Sequence, residues 1–99
     1  MIIEKQVTDS AMTIKVIGRL DSVTSPQLEE VTSKELEGIT DLTFDFSELE
    51  YISSAGLRVL LSAHKAMSAK GGMKVTHVNE VIGEVFEVTG FADILTIEN

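Results

Sequence analysis

Hydrophobic and polar positions change period along this chain, and each change marks a new element. From Ala11 to Ile17, Met12, Ile14 and Val16 fall on one face and Thr13 and Lys15 on the other, the period of two that belongs to a strand. Ile2 to Val7 is a weaker strand, and the turn residues Thr8-Asp9-Ser10 join the two as a hairpin. Gly18 ends the second strand, and Arg19 to Ser25 is a polar loop. Ser25-Pro26 then starts a helix, with serine as cap and proline at the first helical position; it is expected to run to about Glu37 and stop at Gly38. Leu42, Phe44 and Phe46 alternate with Thr43 and Asp45 as the next strand. A short acidic loop leads to Ser53-Ser54, which opens a strongly apolar helix reaching about Ala69 and closed by Gly71-Gly72. In that helix Leu57, Leu60, Leu61, His64 and Met67 share one face. Val59, Ala63 and Ala66 widen the apolar arc and leave Arg58, Ser62 and Lys65 as a narrow polar strip, so the helix should pack centrally against the sheet. Met73 to Val78 is a further strand, Asn79 caps a helix to about Thr89 that Gly90 closes, and Ile94 to Ile97 is a short last strand or extended tail.

The order is ββαβαβα(β). A strand–helix–strand–helix–strand core implies right-handed crossovers. The expected fold class is α/β: one domain over residues 1–99 with a mixed, mainly parallel sheet of four to five strands, an N-terminal antiparallel hairpin and three to four helices. A chain of 99 residues buries roughly two-thirds of its unfolded surface, enough for one core without staples.

Composition narrows the chemistry. Apolar residues at 43% against 24% charged describe a globular chain rather than a disordered one. The absence of cysteine removes disulfides, thiolate catalysis and cysteine-metal sites, and two isolated histidines do not make a zinc site, so neither metal nor cofactor is expected. Met1-Ile2-Ile3-Glu4-Lys5 lacks the basic region and apolar run of a signal peptide, and no window approaches a membrane span. The expectation is a cytoplasmic protein with no membrane partner. A net charge of −8 would be repelled by phosphate backbones, which argues against nucleic acid.

Residue types alone offer three further candidate chemistries. Ser62-Ala63-His64-Lys65 has the S-x-x-K spacing of a serine hydrolase, but it lies mid-helix without companion motifs. Asp45, Glu48 and Glu50 could pair as carboxylates, yet acids in a polar loop are ordinarily solvated. His64 reads as a core-edge residue and His77 as a strand residue able to face solvent, neither of them catalytic. Ser53 and Ser54 remain. Hydroxyls at a helix N-terminus stand where backbone N–H groups are unpaired and negative charge is favoured, so one can cap the helix, and a phosphoserine would be accommodated.

Gly18-Arg19-Leu20-Asp21-Ser22-Val23-Thr24, the stretch Leu42 to Leu61 with Asp45-Phe46-Ser47 and Ile52-Ser53-Ser54-Ala55-Gly56-Leu57, and His64-Lys65 followed by Gly71-Gly72 occur in an order that resembles a known family. The chain looks like a stand-alone STAS domain of the bacterial anti-sigma factor antagonist type, over essentially its whole length. The resemblance implies a binding protein rather than an enzyme. Its unmodified form would bind an anti-sigma factor that is also a serine kinase, phosphorylation by that kinase would break the binding, and a serine phosphatase would restore it. The family motif often reads Asp-Ser-Ser/Thr-Gly-Leu with the first serine as acceptor. Aligned on Gly56-Leu57, the acceptor is Ser54, Ser53 takes the aspartate position and becomes the second candidate acceptor, and Ala55 replaces the second hydroxyl. The implied partner surface comprises Asp21, Ser22, Tyr51, Ser53, Ser54 and Arg58, on a protein that is a monomer when free. The alternative on the same fold is an unphosphorylated adaptor in a stressosome-like or transport-ATPase complex.

Overall fold

Alternation from Met12 to Val16 and from Leu42 to Asp45 translates directly into strands in the computed structural model, which describes residues 1–98. Strand β1 (Ile2–Thr8) and strand β2 (Ala11–Leu20) form the expected antiparallel hairpin, in register from Ile2 opposite Ile17 to Thr8 opposite Ala11. Helix α1 (Ser25–Lys34) leads to β3 (Asp41–Asp45), then β4 (Leu49–Ile52), helix α2 (Ser54–Ser68), β5 (Gly72–Thr76), helix α3 (Glu80–Thr89), a 3-10 turn over Phe91–Asp93 and β6 (Thr96–Glu98). The sheet runs β1-β2-β3-β5-β6, every pair after the hairpin being parallel, and β4 adds itself to the end of β2.

Register explains the two layers. Met12, Leu42 and Met73 lie side by side across β2, β3 and β5, as do Ile14, Phe44 and Val75, and all six are buried. Leu57, Val59, Leu60, Ala63 and Met67 of α2 join them in one core with Leu28 of α1 and Ile82 and Phe86 of α3. Phe44 and Phe46 meet within it with ring centroids 5.9 Å apart. The opposite sheet face carries the rows Thr13, Thr43, Lys74, Thr96 and Lys15, Asp45, Thr76, Glu98, which are half-buried or exposed. The helical layer thus covers one face.

Among the described residues the sheet has six strands rather than four to five. The extra one is β4, within the stretch expected to be an acidic loop. Its burial runs Leu49 in, Glu50 and Tyr51 out, Ile52 in, a spacing of three that carries no strand periodicity. It pairs only with Gly18–Leu20, across a register shift between Gly18 and Arg19. That same pairing carries β2 through Leu20, beyond the end expected at Gly18. Helix α1 is shorter than expected. It stops at Lys34 because Leu36 and Ile39 both turn into the core; the Ile39 amide donates to the Leu36 carbonyl (3.0 Å), and Gly38 takes φ +80°. Its N-cap is Thr24, and the expected cap, Ser25, is the first helical residue, buried with its Oγ unpaired. In α2, Ala66 is exposed and Leu61 half-buried, so the apolar arc is narrower than expected. Strand β5 ends at Thr76, which leaves His77 off the strand, exposed at φ +58°. The last strand is Thr96–Glu98 rather than 94–97. Asn79 caps α3 by accepting from the Ile82 amide (2.8 Å), and Gly90 closes that helix in the left-handed region, both as expected.

Candidate functional site

Strands β2 and β4 end side by side, so the segments that follow them, the loop into α1 and the start of α2, are neighbours. The Ser53 amide donates to the Leu20 carbonyl (2.9 Å), a backbone bond that ties the two segments together. Ser53 is extended (φ −98°, ψ 176°) and caps α2: its Oγ accepts from the Gly56 amide at 3.4 Å, and its carbonyl accepts from Leu57 at 3.0 Å. Ser54 is the first residue of α2 and is exposed, and among the described residues its hydroxyl makes no hydrogen bond. The two hydroxyls therefore differ: one is committed to the helix and the other faces outward.

Gly56 sits where a side chain would not fit. A Cβ there would lie 2.8 Å from Leu20 Cγ and 2.9 Å from Ile52 Cγ1. The first turn of α2 rests directly on the ends of β2 and β4, and this contact sets the position of Ser54.

The loop beside it is built by Asp21. Its Oδ1 accepts from the amides of Val23 and Thr24, both at 3.0 Å, while its own amide donates to Thr24 Oγ1 (2.9 Å), which in turn donates to the Arg19 carbonyl (2.8 Å). The Thr24 amide bond is the main cause holding the Asp21 carboxyl below the usual carboxylate range, with Arg19, Nε 3.9 Å away, adding to it. Ser22 and Val23 form the exposed tip, with Val23 85% accessible. On β4, Tyr51 is exposed and lies under the Arg19 guanidinium, 4.2 Å from the ring centroid.

Asp21, Ser22, Tyr51, Ser53 and Ser54, expected to act together, thus lie on segments joined by the β2–β4 pairing. Arg58 is exposed one helical turn beyond Ser54. Residue patterns alone missed Arg19 and Val23 as parts of this end. The Arg19–Tyr51 contact follows from their being cross-strand partners in a pairing with no periodic signal. Val23, an isolated apolar residue in a polar loop, was the available sign of an exposed contact point.

Elsewhere the candidate chemistries separate. Ser62 and Lys65 are exposed on α2 and His64 is half-buried. Glu48 pairs with Lys15 (2.6 Å), Asp45 accepts from the Ser47 amide (2.9 Å) and stands 3.5 Å from His77 Nδ1, and Glu50 is exposed. Among the described residues no group of three or more His, Cys, Asp or Glu could hold a metal ion, and no helix is long and apolar enough to cross a membrane.

The structure is thus a two-layer α/β domain that presents an exposed hydroxyl at the start of its central helix, beside an ordered loop and an exposed aromatic. The STAS domain family model matches residues 3–99. The anti-sigma-B factor antagonist of Staphylococcus aureus is 32% identical over 97 residues, covering 96% of this chain and 90% of that protein. The chain belongs to the STAS domain family and, within it, to the anti-sigma factor antagonists, which are regulators rather than enzymes. Solved structures agree on the fold. An anti-sigma factor antagonist from Mycobacterium paratuberculosis superposes with a TM-score of 0.87 at 22% identity, covering 97% of this chain and 83% of that one. The Bacillus cell fate determinant SpoIIAA in its phosphorylated form gives 0.77 at 19% identity, covering 99% and 92%.

Proposed function

We propose that this protein, unphosphorylated, binds an anti-sigma factor that is also a serine kinase, and that a phosphate on Ser54 ends the binding. The observation that carries the reading is the division between the two hydroxyls: Ser53 Oγ caps α2, whereas Ser54 is exposed and uncommitted. A phosphate adds about −1.5 to −2 charge at neutral pH. At the first turn of a helix that charge is tolerated or mildly stabilising, so the fold survives and the effect falls on the partner. Each 1.4 kcal/mol of lost contact is about tenfold in affinity, so a modest clash releases the partner. The docking surface comprises Asp21, Ser22, Tyr51, Ser53, Ser54 and Arg58, with Arg19 and Val23 added. The free protein is a cytoplasmic monomer, and a serine phosphatase resets it.

The test is phosphate transfer from radiolabelled ATP by the anti-sigma-type kinase of the same organism. Wild type and Ser53→Ala are expected to be labelled and Ser54→Ala not. Labelling of Ser54→Ala at the wild-type level would overturn the assignment. Binding of Ser54→Asp to that kinase with wild-type affinity would overturn the switch and leave an adaptor insensitive to the site.

A further inference from the structure

Helix α2 differs in charge from the rest of this acidic chain: Ser54–Ser68 contains Arg58 and Lys65 and no Asp or Glu. Lys5, Lys15, Arg19, Lys34 and Lys74 each stand within ion-pair distance of a carboxylate, and Lys70 donates to the Leu36 carbonyl. Arg58 makes none of these contacts among the described residues, and it is exposed. It is also four residues after Ser54, on the outward strip that continues through Ser62 and Lys65. Residues four apart on a helix have Cβ atoms about 5–6 Å from each other, and the order acid first, base second is the favourable one.

We infer that Arg58 is a built-in counter-ion for a phosphate on Ser54: the guanidinium closes onto the phosphate oxygens and is thereby withdrawn from the docking surface. This rests on the reading of Ser54 above. A guanidinium fork matches phosphate geometry and binds it through two parallel N–H···O bonds, more strongly than a neutral hydrogen bond. Competition for Arg58 is low. Its own helix carries no carboxylate, and Asp21 is already engaged by two backbone amides with Arg19 alongside. The other carboxylates nearby are Glu50, exposed on β4, and Glu29 and Glu30 on α1, which packs against α2; both are exposed, and Glu30 stands 3.4 Å from Lys34. Modification then alters the surface twice, by adding an anion and by removing the availability of a cation.

The experiment needs no kinase. Phosphoserine is encoded at position 54 through a reassigned stop codon, and the phosphate is titrated by phosphorus NMR in wild type, Arg58→Gln and Arg58→Ala. The second phosphate pKa is expected about half a unit lower in wild type than in either variant, the size of a charge-assisted helix pair. The difference should shrink in about 1 M salt, where the screening length falls to about 3 Å. Coincident titrations of wild type and both variants would overturn the inference. Because the phosphate is installed directly, a shifted titration alongside a failure of any kinase to label Ser54 would sink the proposed switch while leaving the pairing intact.

Discussion

Ser53 and Gly56 fix the start of α2 by different means, and their substitutions should fail differently. Ser53→Ala removes one cap hydrogen bond, which at 3.4 Å is a long one. The loss expected in urea unfolding is about 0.5–1 kcal/mol, the lower part of the range for N-caps. Gly56→Ala pushes a methyl group into Leu20 and Ile52, both fully or almost fully buried. Overpacking a filled contact costs about 1–3 kcal/mol. Since the clash lies under Ser54, partner binding should weaken as well, whereas Ser53→Ala should leave the binding of unmodified protein largely intact. Denaturant titration together with a binding isotherm on both variants checks the pair. A Gly56→Ala protein as stable as wild type would mean that α2 stands off the strand ends.

At the scale of elements, the β2–α1 loop depends on the ionised form of Asp21. Its carboxyl titrates below its ordinary value of 3.8 in the folded protein. The stability it contributes is therefore fully present above that value and is lost as the pH falls through the lower folded value. Asp45 acts in the same direction: its partial burial opposes ionisation but is outweighed by hydrogen bonds from Ser47 and the charges of His77 and Lys15. The gap in melting temperature between wild type and Asp21→Asn should hold steady down to about pH 5 and narrow from there to about pH 3; a gap that stays constant over the whole range would remove the carboxylate from the account. What the residue pattern revealed at this scale follows a clear rule. The central helix and the faces of β2 and β3 were legible because each repeats with its own period over several residues, the hairpin through its turn residues Thr8-Asp9-Ser10, and α3 through its caps Asn79 and Gly90. Strand β4 was not, because its buried pair Leu49 and Ile52 is three apart and its partner segment is Gly18–Leu20. The candidate site shares that limit: Asp21, Tyr51 and the serines are residues that the family resemblance implies, whereas Arg19 joins them only through the β2–β4 pairing that sets it over the Tyr51 ring.

Across the whole molecule, the side that carries the candidate switch is joined to the core by main-chain contacts rather than by a hinge. The Ser53 amide reaches Leu20, the Leu57 amide returns to Ser53, and the Ser25 amide binds the Asp21 carbonyl. Installing phosphoserine at 54 is therefore expected to move amide NMR signals around residues 19–25 and 50–58 and to leave the half-exposed sheet face of Thr13, Thr43 and Lys74 unchanged. Shifts spread evenly over the sheet would contradict this. The Ser53–Leu20 bond also bears on time. With the backbone already in place on either side of Ser54, the proposed switch is expected to need no slow internal rearrangement between hydrolysis of the phosphoester and recovered binding. In stopped-flow mixing with partner, freshly dephosphorylated protein should associate in a single phase, as fast as protein that was never modified. The speed at which such a signal is reversed would then be set by the phosphatase and by diffusion, with no lag contributed by the fold.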